Sequence, residues 1–120
     1  MFIEKDLVAA SATPLVLGIL ADGESYGYAI LRRVNDLSGG RMQWTDGMLY
    51  PLLHRLERSG YVSATWRTAE NGRRRKHYAI TDPGRKVLAD RRTQWTVVAD
   101  ALNQVWAAVQ LPPAVARGLS

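Results

Sequence analysis

The sequence predicts an α+β fold, mainly helical, with one β-hairpin following three short helices and a long helix closing the chain. Three observations carry that prediction. In "GMLYPLLHRLERS" four leucines fall at i, i+3, i+4 and i+7, the apolar face of a core helix. Two strand-like segments, "YVSATWRT" and "RKHYAIT", flank the turn-forming "AENGR". Leu88, Trp95, Leu102 and Val109 then recur every seven residues. A length of 120 residues fits one domain, and 47% hydrophobic with 22% charged residues is an ordinary globular balance.

The first helix is expected at "TPLVLGILAD", with Thr13 as its cap and Pro14 at the first helical position, where a missing N–H costs nothing. Before it, "MFIEKDLVAA" carries Phe2, Ile3, Leu7 and Val8 at roughly helical spacing and reads as an extra turn or arm. "DGES" is a turn, and Ser25 is the expected cap of the second helix, "YGYAILRRVNDLS". Ile30, Leu31, Val34 and Leu37 form its stripe, and Gly39-Gly40 stops it. "RMQW" is a short extended link, and Thr45 or Asp46 caps the third helix, which ends at Gly60. Its core face is Leu49, Leu52, Leu53 and Leu56. Pro51 removes the bond to the Gly47 carbonyl, so that helix either starts late or bends there.

For the hairpin, pattern and turn test each other. A two-residue Asn71-Gly72 turn would pair Trp66 with His77 and send Val62 and Ala64 to the face opposite Tyr78 and Ile80. A three-residue loop, Glu70-Asn71-Gly72 with Gly72 left-handed, pairs Val62 with Ile80, Ala64 with Tyr78 and Trp66 with Lys76. A one-residue slip flips every side chain, so the shared apolar face selects the longer loop. Arg75 then sits opposite Arg67 on the outer face, an arrangement that disfavours itself without an anion nearby. His77 falls on that outer face too, where solvent exposure is the default.

Thr81-Asp82-Pro83 opens the last helix, and Pro112-Pro113 ends it. Val98 and Val105 fall between the heptad residues, so Trp95 to Val109 is the seam of a coiled coil, kept short by Arg91 at the preceding seam position. The chain divides into residues 1–82, which carry the hairpin, residues 83–111, the long helix joined to them in one compact unit, and a frayed tail over 112–120.

The net charge is +5 and the pI near 10.0. From Arg32 to Arg92 there are fourteen Lys/Arg against six Asp/Glu, and after Arg92 only Asp100 and Arg117 are charged. A basic middle suggests an anionic partner; the plainer reading is a solvated surface. No apolar run reaches the ~18 residues of a membrane span, and signal-peptide features are missing. Without Cys there is no disulfide or thiolate metal site. The expectation is a cytoplasmic protein with no membrane contact, metal or cofactor.

Helix, helix, helix, hairpin and long helix, with Arg73, Arg74, Arg75 and Lys76 at the hairpin, is the layout of a winged helix-turn-helix. There the second helix of the pair enters the DNA major groove and the wing meets the neighbouring backbone. Phosphates would remove the self-repulsion of the four cations and release counterions. "GMLYPLLHRLERSGYV", a following Trp, "GRRRKHYAITDPG" and the Gly27-Tyr28 pair resemble the signature of PadR-like transcriptional regulators over nearly the whole chain. The resemblance implies a winged-helix dimer that represses transcription, with the last helix making the dimer. With one long helix at its end, the chain is similar to the family's short subfamily, and a few short members bind flat hydrophobic compounds between subunits.

Candidate DNA contacts are Tyr50, His54, Arg55 and Arg58 on the third helix and Arg73, Arg74, Arg75 and Lys76 on the wing. Arg reads guanine bidentately, whereas Tyr hydroxyls more often hold phosphates. The plainer reading of Arg55 and Arg58 is pairing with Glu57 and nearby acids. The candidate dimer interface is Leu88, Trp95, Val98, Leu102, Val105 and Val109. Trp95 is either interface packing or one wall of a site for a planar hydrophobic effector. Trp106, beside the seam, suits packing against the first helix, and Trp44 and Trp66 suit core or wing support. The partners expected are therefore a second copy of the chain, a two-fold symmetric DNA duplex and a planar small molecule. A winged helix used only for protein–protein contact is the alternative. An enzyme is disfavoured: there is no Cys, no metal-ligand cluster and no Gly-rich phosphate loop, and the only His are His54 and His77.

Overall fold

Three helices and the base of a hairpin pool their apolar faces into one core. The computed structural model describes residues 1–109. Its elements are α1 (Lys5–Ala21), β1 (Ser25–Tyr26), α2 (Gly27–Ser38), α3 (Asp46–Arg58), β2 (Val62–Thr68), β3 (Arg74–Ile80) and α4 (Asp82–Ala108). The expected Pro112-Pro113 stop and the 112–120 tail lie outside the described residues. Val16, Leu17 and Leu20 of α1, Ile30 and Val34 of α2, the four leucines of α3, and Val62 and Tyr78 of the sheet are all buried, with Trp44 among them.

α1 departs from the expectation. It begins at Lys5, Thr13 is not its cap, and Pro14 lies inside it. The local rule that places proline at a helix start loses to burial: Val8 and Ala12 join the core, so the helix must continue back past Pro14. The carbonyl that Pro14 leaves unbonded belongs to exposed Ala10. Residues 5–10 are thus continuous with α1 rather than a separate turn or arm. Ahead of them, the Ile3 N–H donates to the Arg41 carbonyl (2.9 Å) and ties the terminus to the link after α2.

Ser25 does not cap α2 either. It belongs to β1, pairs with Tyr78, and makes β1-β3-β2 a three-stranded antiparallel sheet. α2 is preceded by Tyr26 without a side-chain cap and ends at Gly39, left-handed at φ 61°. Thr45 caps α3 by accepting from the Met48 N–H (3.3 Å). That helix starts at Asp46, neither late nor interrupted at Pro51. The carbonyl freed by Pro51 is that of exposed Gly47.

The hairpin has the register selected by its apolar pattern, with Val62 opposite Ile80, Ala64 opposite Tyr78, Trp66 opposite Lys76 and Arg67 opposite Arg75. Ala69 and Arg73 close the loop (2.8 Å), and Gly72 is left-handed at φ 81°. α4 starts on a clamp: Thr81 accepts from the Gly84 N–H (3.1 Å) and donates its hydroxyl to the Gly60 carbonyl (2.6 Å). Gly84 is buried, and a Cβ there would collide with the Tyr61 carbonyl oxygen. The helix then leaves the core and stops at Ala108, so Val109, in extended conformation, lies just beyond the helical seam.

Candidate nucleic-acid interface

With its leucines buried, α3 turns Gly47, His54, Arg55 and Arg58 to solvent. Tyr50 leans from its flank onto the start of α2, close enough that a Cβ on Gly27 would collide with its hydroxyl. Gly27 is therefore the residue that lets α2 and α3 approach. Across from this face stands the wing. Tyr50 and His54, Tyr26 and Tyr28 at the start of α2, and Arg73 to Lys76 line one open groove of ≈ 690 Å³. Six of the eight candidate DNA contacts share it; Arg55 and Arg58 lie outside its lining, exposed farther along α3.

The four wing cations have different surroundings. Arg74 lies over the Trp66 ring, with 5.1 Å to the centroid, and Arg75 over the Tyr26 ring at 4.5 Å. Such contacts are worth about 0.5–1 kcal/mol at exposed sites and leave the charge available. Among the described residues, Arg73, Arg74 and Arg75 have no carboxylate in salt-bridge contact. Lys76 instead donates to Glu57 of α3 (3.2 Å), and that hydrogen bond holds its ammonium above its ordinary range. Glu57 is thereby engaged with the wing, not with Arg55 or Arg58. Tyr78, beneath Lys76 in the core, has its phenol raised chiefly by burial.

The clash expected between Arg67 and Arg75 is relieved within the chain. Glu24 takes the Arg67 guanidinium (2.6 Å), while Arg75 turns to Tyr26. His77 is correspondingly not an open surface ring. β1 covers it, its ring lies 5.3 Å from that of Tyr26, and its buried Nδ1 sits 3.5 Å from Glu24 Oε1 without a hydrogen bond. Tyr26, Tyr28, Glu24 and Glu57 were not singled out as site residues in the sequence. The "YGY" of residues 26–28 was the available signal for the two tyrosines.

At the other end of the molecule, Leu88 is half-buried against the core. Trp95, Val98, Leu102 and Val105 are exposed, as are Val97, Trp106 and Val109. Trp95 and Leu88 line a second groove of ≈ 1160 Å³, whose other wall is Pro14, Leu15 and Gly18 of α1. No described helix is long and apolar enough to cross a membrane.

Comparison with known proteins agrees with this geometry. The PadR-like transcriptional regulator from Bacillus cereus is 26% identical, covering 83% of this chain and 95% of its own, with a TM-score of 0.75. The PadR family regulator from Eggerthella lenta is 31% identical, covering 83% of this chain and 85% of its own, with a TM-score of 0.73. The transcriptional regulator YqjI of Escherichia coli is 28% identical over 107 residues, which are 88% of this chain and 50% of that protein, so this chain spans about half of it. Residues 16–90 match the family described as "Transcriptional regulator PadR-like family", and the chain, a winged helix with a long last helix, belongs to it.

Proposed function

We propose that this DNA-binding regulator acts as a homodimeric repressor in the cytoplasm, on a two-fold symmetric duplex site. The observation that carries the reading is the groove in which Tyr50 and His54 of α3 face Arg73, Arg74 and Arg75 of the wing. In this reading His54, Arg55 and Arg58 meet base edges, Tyr50 and the wing arginines meet phosphates, and Lys76, held by Glu57, contributes less. Dimer symmetry is mirrored in operator symmetry. The bare stripe Trp95, Val98, Leu102 and Val105, continued by Val109, supports pairing through α4, with Leu88 at its inner end and α1 alongside.

A planar hydrophobic effector would enter beside Trp95 in the groove between α1 and α4. To release DNA it must bind better to a dimer whose wings are wrongly spaced for adjacent half-sites, since equal affinity for both states shifts nothing. The test is a mobility-shift assay on the DNA upstream of the protein's own gene, repeated over a salt series. Binding should weaken steeply with salt, and the slope should fall by about one for each phosphate-contacting arginine replaced by Ala among Arg73, Arg74 and Arg75. Unchanged salt slopes in all three variants would overturn the wing assignment. A module that binds only proteins would retain no duplex.

A further inference from the structure

Glu57 is an acid bonded to Lys76, which lines the groove that is read here as facing phosphates. By charge alone it should oppose DNA binding. Its Oε1 lies 3.2 Å from Lys76 Nζ, and both side chains are more than half buried, at 37% and 29% exposure. Lys76 Nζ also lies 5.6 Å from the ring centroid of buried Tyr78. Among the described residues this is the one salt bridge joining α3 to the wing. Beyond it on β2, residues 65–68 are exposed, and so are Arg73 and Arg74 across the loop. Past Lys76 the inner face of the wing therefore has little core to hold it against α3.

We propose that Glu57 and Lys76 form a brace fixing the distance between the two DNA-facing walls of the groove. Lys76 is then a positioning residue, and the phosphate contacts are left to Arg73, Arg74 and Arg75. The inference rests on the DNA-binding reading above and refines it. An ion pair still about a third open to solvent adds little to global stability. Holding a wing in its bound position is different, because it removes an ordering cost from association. Losing that preorganisation should weaken binding about three- to tenfold.

The discriminating measurement is fluorescence anisotropy on a labelled duplex from upstream of the protein's own gene, over a salt series. It compares the wild type with Glu57→Met, Lys76→Met and the double variant. A brace predicts that both single variants bind more weakly. It also predicts that the double variant is no weaker than the weaker single one, and that the salt slope of Lys76→Met matches the wild type. A phosphate-contacting Lys76 predicts the reverse pattern: a slope lower by about one in Lys76→Met, and tighter binding by Glu57→Met because an acid has been removed. Tighter binding by Glu57→Met would overturn the brace while leaving DNA binding intact. A wild type that binds no duplex would overturn the DNA reading itself, and the brace with it. If a Met variant loses its cooperative melting transition, Glu57→Gln and Lys76→Gln carry the same comparison on a more polar background.

Discussion

The two ends of the molecule differ in how much of their chemistry is completed within one chain. Around the hairpin, Glu57 meets Lys76, Glu24 meets Arg67, Arg75 lies on Tyr26 and Arg74 on Trp66. That region pairs Glu24 and Glu57 within the chain, while Arg73, Arg74 and Arg75 have no carboxylate in contact among the described residues. Along α4 the opposite holds. Its outer half exposes Trp95, Val98, Leu102 and Val105, with Val97 and Trp106 beside them. The contrast is between a groove end whose Glu24 and Glu57 are already paired within one chain and an α4 stripe whose apolar side chains stay exposed in it, as the proposed polyanion and second copy would require. Covering the stripe with a second copy, as proposed above, would take these side chains out of water.

The largest effect that could break the comparison is therefore on assembly. Leu102→Asp places a charge in the middle of the stripe and should abolish the dimer or unfold the chain, as read by sedimentation of a dilute sample. A wild type sedimenting as a single monomeric species would remove the contrast altogether.

Next in size is a defect at the junction between the two regions. Gly84→Ala forces a Cβ against the Tyr61 carbonyl oxygen, backbone that cannot swing aside. Strain of this kind costs about 1–3 kcal/mol, and a lowered urea midpoint should show it. Gly27→Ala meets only the Tyr50 side chain, which can rotate. Its stability loss should be smaller, with its main cost in DNA binding through a displaced Tyr50.

The same contrast explains what the sequence disclosed. The hairpin register was legible because two local signals, a period-two apolar pattern and an Asn-Gly turn, constrained each other. The leucine face of α3 and the Thr81 start of α4 were legible for the same reason. β1 was not: two residues carry no period, and their partners, Tyr78 and His77, lie about fifty residues away in sequence. With β1 hidden, Glu24 could not be placed beside Arg67 and His77. The start of α1 was misread because Pro14 is a strong local signal and the burial of Val8 is a tertiary fact. The Glu57–Lys76 contact was not legible, because the adjacency of Lys76 to three arginines is visible in sequence whereas the approach of α3 to the wing is not.

A smaller effect concerns Trp95. If the stripe of one chain leaves a slot beside its partner, planar cationic dyes should quench tryptophan fluorescence in the wild type. The quenching should fall in Trp95→Ala, provided that variant remains a folded dimer. Undiminished binding to it would move the ligand away from α4, and no binding by any dye would leave Trp95 as packing.

The smallest expected effect is a pH dependence confined to the groove end. Glu57 raises Lys76 above its ordinary 10.5, and burial raises Tyr78 above its ordinary 10.0. Both groups hold their protons more tightly in the native state than in the unfolded one. Their contributions are therefore fully present below about pH 10 and are lost as pH rises through the folded values. Because the Lys76 side chain is 29% exposed, its share should be below about 1 kcal/mol. Urea midpoints should thus be flat from pH 8 to near 10 and then decline. Lys76→Met should remove the ammonium's share of the decline and leave the part due to Tyr78. Between Thr93 and Val109 there is no Lys, Tyr or His, so substitutions of the apolar residues there should lower the whole curve without changing its shape. An alkaline decline unaltered by Lys76→Met would show that the Glu57 contact contributes nothing measurable to stability in solution.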